Sequence, residues 1–387
     1  MKILFVGGNG AGTLFPLVPL AQAARNAGHE VFMTGCEPVV PLILDAGLPA
    51  VAVTPKAVTD FRIPPLGNTE PVSETGQDSV ISIGRMFGRF AADCLGGLRE
   101  LVDGWRPDLV VGGALAYAAP LVAQYARVPY VHFRTEMGEP LLVTLAATIE
   151  LGGELEQAGL TALPAPALTL SSCPPSIRPA HAPPALPVRH VPYTSQRTVE
   201  PWMHRRDGRP RILVSAGSRV TPEQDFDILQ GLVREVAPLD ADLLIAAPEG
   251  VAGKLRPLPA GAHAGWIPLD VAGSSCDVMV HHAGGSTTLT GLAHGVPQIL
   301  LTHIKGLEYP ARLEELGAAK LIRAEDDGAE TIAAAIGEVL GDPAYRRAAG
   351  RLREEVLAMP APPEVVGRLE RLAAGARPVP GGPPSRP

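Results

Sequence analysis

Lysine is nearly missing from this chain of 387 residues: there are five, against 28 arginines. Basic residues number 33 and acidic ones 40, giving a net charge of −7, so the basic stripe of a nucleic-acid binder is absent. Charged residues reach only 19% while apolar ones reach 46%, which excludes a disordered polyelectrolyte. Cysteine is sparse too. Cys36, Cys94, Cys173 and Cys276 lie far apart with no C-x-x-C pair, so neither a disulfide framework nor a zinc ribbon is expected. The opening MKILFVGGNG runs straight into a strand and its turn, without the apolar core and cleavage site of a signal peptide. No apolar run approaches the roughly 20 residues that span a bilayer. A cytoplasmic protein, monomeric or weakly dimeric, is the expectation.

What is abundant is glycine and proline, 42 and 41 residues. They do not make the chain low in complexity, because strand and helix signals alternate throughout. The length predicts two or three domains. Apolar runs at 2–7, 28–34, 49–53, 107–113 and 128–133 alternate with helical segments, among them one at 79–103. Residues 55–76 carry four prolines and read as a long loop. The rhythm restarts at 211–218 and continues through 241–248, 278–282 and 295–301, closing with helices near 329–340, 343–358 and 362–374. Non-alternating apolar strands mean parallel sheets covered on both faces. The predicted division is a first Rossmann-like domain over 1–173, a linker over 174–210, a second such domain over 211–376 and a disordered tail at 377–387. Two doubly wound domains would face each other across a cleft at the carboxyl ends of their strands, where ligands bind.

The most informative stretch is WIPLDVAGSSCDVMVHHAGGSTTLTGLAHGVPQILL, residues 266–301. It reads as a strand, a Gly-Gly turn and a hydroxyl-rich helix start. Gly284 and Gly285 allow close approach to the backbone. Ser286 and Thr287 offer hydroxyls, and the free amides and dipole of the helix N-terminus favour an anion such as a diphosphate. His282 adds a donor at the strand end. The order Trp-x-Pro, Cys-Asp before a strand, His-His-x-Gly-Gly, then Gly-Val-Pro-Gln resembles the donor-binding signature of nucleotide-sugar glycosyltransferases with two Rossmann-like domains, the GT-B type. The likeness extends over nearly all of the chain. Through AARNAGH (23–29), RPDLVVGG (106–113), EPWM (200–203), SAGSRV (215–220) and HHAGGSTTLTGL (281–292) it is most similar to angucycline-type C-glycosyltransferases of actinobacteria.

The resemblance implies roles. His282, Gly284, Gly285, Ser286 and Thr287 would hold the donor diphosphate, Trp266 and Ile267 would lie against the base, and Ser218 and Arg219 would close the first turn of the second domain on the donor, Arg219 neutralising the leaving diphosphate. O-glycosylating relatives carry a His base in a Gly-His-x-x-Pro context. Here Thr13 stands in that place, and its hydroxyl is no base near neutral pH. The acidic-Gln pair that grips sugar hydroxyls is missing, with only Glu308 nearby, which fits a deoxygenated sugar. Glu136, in HFRTEMGEP, falls where C-glycosylating relatives place an acidic residue. It is expected to face the cleft and deprotonate a phenol, with Glu139 and His132 as fallbacks. Thr13, Met86, Phe87, Phe90 and Phe133 would offer the acceptor an apolar surface, although a Met/Phe stripe at helical spacing also describes plain core.

The implied activity is inverting, metal-independent transfer of a deoxysugar from a TDP-sugar to an aromatic polyketide, forming a C-glycoside. The TDP-sugar is a co-substrate and no cofactor is expected. An O-glycosyltransferase of the same fold, or an inactive homologue that activates a partner transferase, remain rivals. The glycine turn at Gly8–Gly12 is one position short of a dinucleotide fingerprint, so NAD chemistry has little support. His281, His282, His294 and His303 form no metal pattern, since the first two point to opposite strand faces. No G-x-S-x-G nucleophile elbow is present.

Overall fold

A computed structural model describes residues 1–62, 77–137, 141–206, 208–222, 225–302, 307–323 and 329–376. The chain begins with β1 (Lys2–Val6), β2 (Glu30–Cys36), β3 (Ala50–Thr54), β4 (Leu109–Gly112), β5 (Tyr130–Arg134), β6 (Leu168–Ser171) and β7 (Leu186–Pro187). They form one parallel sheet in the order β3-β2-β1-β4-β5-β6-β7. A second parallel sheet, β10-β9-β8-β11-β12-β13, is built from β8 (Arg211–Ser215), β9 (Asp242–Ala246), β10 (His263–Gly265), β11 (Val278–His281), β12 (Gln298–Thr302) and β13 (Ala319–Arg323). These are the two doubly wound α/β units predicted from the rhythm. The strands are apolar runs because helices cover both faces. Ile3, Leu4, Phe5 and Leu109 are wholly buried in the first core, as are Ile212, Val214, Val278 and Val280 in the second.

The packing corrects the expected division at two places. Strand β7 lies inside the segment read as a linker, yet it pairs with β6 and completes the first sheet. The helix Pro362–Ala376, assigned above to the second domain, returns to the first. Its Val365, Val366 and Leu369 are buried in the first core, and Glu370 pairs with His29 at 3.0 Å. An amphipathic pattern shows that a helix has an apolar face but not which surface that face will find. The chain therefore crosses between the two units twice. The crossings run side by side: the Arg189 amide donates to the Pro360 carbonyl at 2.8 Å, and Arg189 Nε to the Met359 carbonyl at 3.1 Å.

All four cysteines are free and buried. Among the described residues no helix is long and apolar enough to cross a membrane. The 63–76 part of the expected long loop and the 377–387 tail lie outside the described residues.

Candidate active site

The carboxyl ends of β8 and β11 lie side by side, Ser215 in register with His281. Beyond β11 the chain turns through His282, Ala283 and Gly284 into the helix Gly285–His294. Ala283 takes a left-handed conformation, φ +53°, unusual for a residue with a Cβ. It is held there: Tyr309, 2% exposed, donates its phenolic hydrogen to the Ala283 carbonyl. Burial pushes the Tyr309 pKa up, so the phenol stays a donor. Behind the turn, His281 Nε2 meets Gln298 Oε1 at 2.8 Å, and Gln298 Nε2 donates to the Thr288 carbonyl at 3.2 Å. Burial, then the neighbouring His282, lowers the His281 pKa to about 3, leaving a neutral ring. Gln298, the last residue of the Gly-Val-Pro-Gln run, is thus a brace under the turn.

His282 sits between two glycines. A Cβ on Gly217 or on Gly284 would come within 2.6 Å of the imidazole. Only residues without side chains leave space for the ring at the strand end. In the helix that follows, Thr288 is the first amide to donate along the helix, to the Gly284 carbonyl at 2.9 Å. The preceding amides, of Gly285, Ser286 and Thr287, are the ones that a helix cannot satisfy internally. They carry the positive end of the dipole toward the cleft.

A cleft opens there, between the two sheets. Its second-domain wall includes Ser215, Gly217, Ser218, Trp266, Ile267, Ser286 and Thr287; its first-domain wall is Ala11, Gly12 and Phe15, with Tyr193 and Thr194 from the crossing segment. Trp266 is fixed at three points: its Nε1 donates to the Ser195 carbonyl at 2.9 Å, its amide to Glu249 at 3.2 Å, and its carbonyl accepts from Arg197 at 3.1 Å. Ile267 is buried behind it. Tyr193 meets Phe15 edge to face at 5.2 Å, closing the first-domain side. Sequence reasoning passed over Tyr193 and Phe15. The cue was an aromatic directly after Val-Pro, VPYTS, within the segment read as a linker.

Five of the expected donor residues, Ser218, Trp266, Ile267, Ser286 and Thr287, line this cavity. His282, Gly284 and Gly285 form the turn at its edge. Arg219 is exposed one residue beyond Ser218 and is not part of the cavity wall.

The first domain departs from expectation. The Glu136 carboxylate does not face the cleft as a free base. Its side chain is 2% exposed and is gripped by Arg178 through Nε at 2.6 Å and Nη2 at 3.0 Å, with the Ser171 hydroxyl donating at 2.9 Å. Its backbone is left-handed, φ +55°, and its side chain meets Ser171 of β6. Strand parity predicts direction only while the chain stays extended. Met86, Phe87, Phe90 and Phe133 are buried in the first core, 3–7% exposed, and so offer no open acceptor surface. Thr13 turns its hydroxyl back to the Gly10 carbonyl at 3.2 Å. His132 stacks on Tyr130, 5.9 Å between ring centres. Glu308 is exposed, 3.9 Å from His181, away from the cavity wall. Glu139 and His303 lie outside the described residues. Among the described residues no group of three or more His, Cys, Asp or Glu side chains is placed to hold a metal ion.

Two parallel-sheet domains with a cleft between them, and a helix N-terminus and paired glycines at its mouth, match the GT-B glycosyltransferases. The protein belongs to the erythromycin biosynthesis protein CIII-like family, residues 22–217 matching the family's N-terminal domain and 230–372 its C-terminal domain. It is similar to the L-demethylnoviosyl transferase of Streptomyces niveus, 32% identical over 97% of this chain and 99% of that one. The TDP-daunosamine transferase DnrS of Streptomyces peucetius is 31% identical, with 93% and 94% covered. Among solved structures, the Streptomyces sp. SF2575 glycosyltransferase SsfS6 in complex with thymidine diphosphate has a TM-score of 0.82 at 31% identity, with 96% and 99% covered.

Proposed function

We propose that this glycosyltransferase moves a deoxysugar from a thymidine diphosphate donor to an aromatic polyketide, with inversion, without a metal ion, and at carbon. The observation that carries the donor assignment is the cavity between the sheets, onto which the amides of the Gly285–His294 helix start and the Thr287 hydroxyl open, with His282 in the preceding turn. There the diphosphate of a donor would accept hydrogen bonds as negative charge builds on the departing oxygen. Such preorganised donors can supply the counter-charge without a metal. The SsfS6 complex with thymidine diphosphate and the name of DnrS support thymidine as the nucleoside. A deoxygenated sugar fits a cavity wall that, among the described residues, carries hydroxyl groups but no acidic-Gln pair to grip sugar hydroxyls. In the reaction the nucleophilic atom of the acceptor attacks the anomeric carbon, the bond to the diphosphate oxygen breaks, TDP departs and the acceptor loses a proton. Attack by an aromatic carbon agrees with Thr13 in the position of the histidine base.

Thermal melting with TDP, UDP or NAD at matched concentrations tests the donor. A ligand at 100 times its dissociation constant stabilises by about 2.7 kcal/mol. Selective stabilisation by TDP is expected, and a response to NAD alone would reject the reading. His282→Ala should slow transfer by about 10²–10³, the scale of one lost oxyanion donor. Boiling the product in acid decides the linkage: a C-glycoside survives and an O-glycoside does not.

A further inference from the structure

Two first-domain groups press on the start of the Gly285–His294 helix. One is the Gly12 carbonyl, which accepts from the Ser286 hydroxyl at 2.8 Å. The other is the Met137 carbonyl, so close to Gly285 that a Cβ there would lie 2.3 Å from its oxygen. Met137 is the residue directly after Glu136. Its side chain, 4% exposed, joins a cluster that spans both domains and includes Cys173 and Ile177 on one side, Ala283, Leu289 and Tyr309 on the other.

The position of Met137 depends on the backbone of Glu136, which is left-handed without being glycine. Such a conformation persists only where the surroundings over-determine it. They do so here. Arg178 meets both carboxylate oxygens, and it also donates to the Pro183 carbonyl. The Ser171 hydroxyl donates to the same carboxylate while accepting from the Cys173 amide at 3.2 Å. Arg134 Nε stands 3.9 Å away. The ends of β5 and β6 and the loop after β6 are thereby tied to one carboxylate. A planar guanidinium fixes the direction of that carboxylate as well as its charge.

We infer that Glu136 and Arg178 are positioning residues: their bidentate pair sets the Met137 carbonyl against Gly285 and so holds the first domain on the helix start that receives the donor diphosphate. The inference rests on the diphosphate reading of that helix. It gives Glu136 a part in donor binding, through Met137, where a general base would act only on the acceptor proton.

TDP dissociation constants, measured by calorimetry on the folded full chain, separate the two roles. Glu136→Ala and Arg178→Met should each weaken TDP by about tenfold, within the usual range of coupling between sites. The double variant should be no weaker than either single one, because the pair acts as a unit. Glu136→Gln, which keeps an acceptor for Ser171 and Arg178, should recover most of the affinity. A global packing defect would give no such rescue. If either single variant fails to fold, Arg178→Lys and Ser171→Ala replace it with the same expected direction. TDP affinity unchanged in all folded variants would overturn the inference, as would losses that add in the double variant. Failure of the wild-type protein to bind TDP would instead reject the diphosphate reading itself.

Discussion

Two left-handed turns lie at the contact between the two domains, and they are held by opposite means. After β11, Ala283 is kept at φ +53° by a neutral phenol on its carbonyl, above a neutral His281–Gln298 brace. After β5, Glu136 is kept at φ +55° by a charged clamp. The difference follows from what each turn must do. The second-domain turn opens onto a helix N-terminus whose partial positive charge attracts an anion. A formal charge packed beneath it would distort or compete with that field, whereas phenol, amide and neutral imidazole fix the backbone without adding charge. The first-domain turn presents a carbonyl to its partner, and an ion pair directed away from the cleft can fix it at no electrostatic cost to the donor site.

The contact between the turns is the place to break this arrangement. Gly285→Val would force a side chain into the space of the Met137 carbonyl, and backbone cannot yield as a flexible side chain can. Overpacking of about 3 kcal/mol is expected, read as a loss of about 100-fold in TDP affinity. Unchanged affinity would mean that the two turns are not in contact in the donor-bound state. A smaller effect is expected from Tyr309→Phe, which strips the buried Ala283 carbonyl of its donor. That should lower stability by about 1–3 kcal/mol in denaturant titrations, with some loss of TDP affinity. Stability at the wild-type level would show that the phenol does not hold the turn. The smallest effect sharpens the comparison. Ala283→Gly removes the left-handed penalty while keeping the carbonyl bond, so thermal melting should show no loss and a gain of up to about 1 kcal/mol. Glu136→Gly removes the same penalty but also the clamp, so its sign should reverse. Equal responses from the two would erase the distinction between the turns.

The second-domain turn was the more legible of the two. Its glycines, hydroxyls and histidines are consecutive in sequence, and an extended strand followed by a helix leaves little freedom in where they point. The sheet rhythm was legible for the same reason, since buried parallel strands leave apolar runs. The clamp on Glu136 was not, because Ser171 and Arg178 are 35 and 42 residues away along the chain. Nothing local marks Glu136 as left-handed, and that one dihedral decides whether its carboxylate meets substrate or arginine. Met86 and Phe87 show the converse limit: helical spacing identifies an apolar face, and only the neighbouring helices and sheet decide that it is interior. Tyr193 was hidden by its surroundings, a proline-rich segment that has no period to read.

The return of the helix Pro362–Ala376 to the first core has a consequence for the making of the protein. Synthesis delivers the seven strands of the first sheet early, but Val365, Val366 and Leu369, which finish its interior, follow all six strands of the second sheet. The first sheet is therefore closed over only after the second has been translated, and it waits with part of its apolar surface uncovered while those strands emerge from the ribosome.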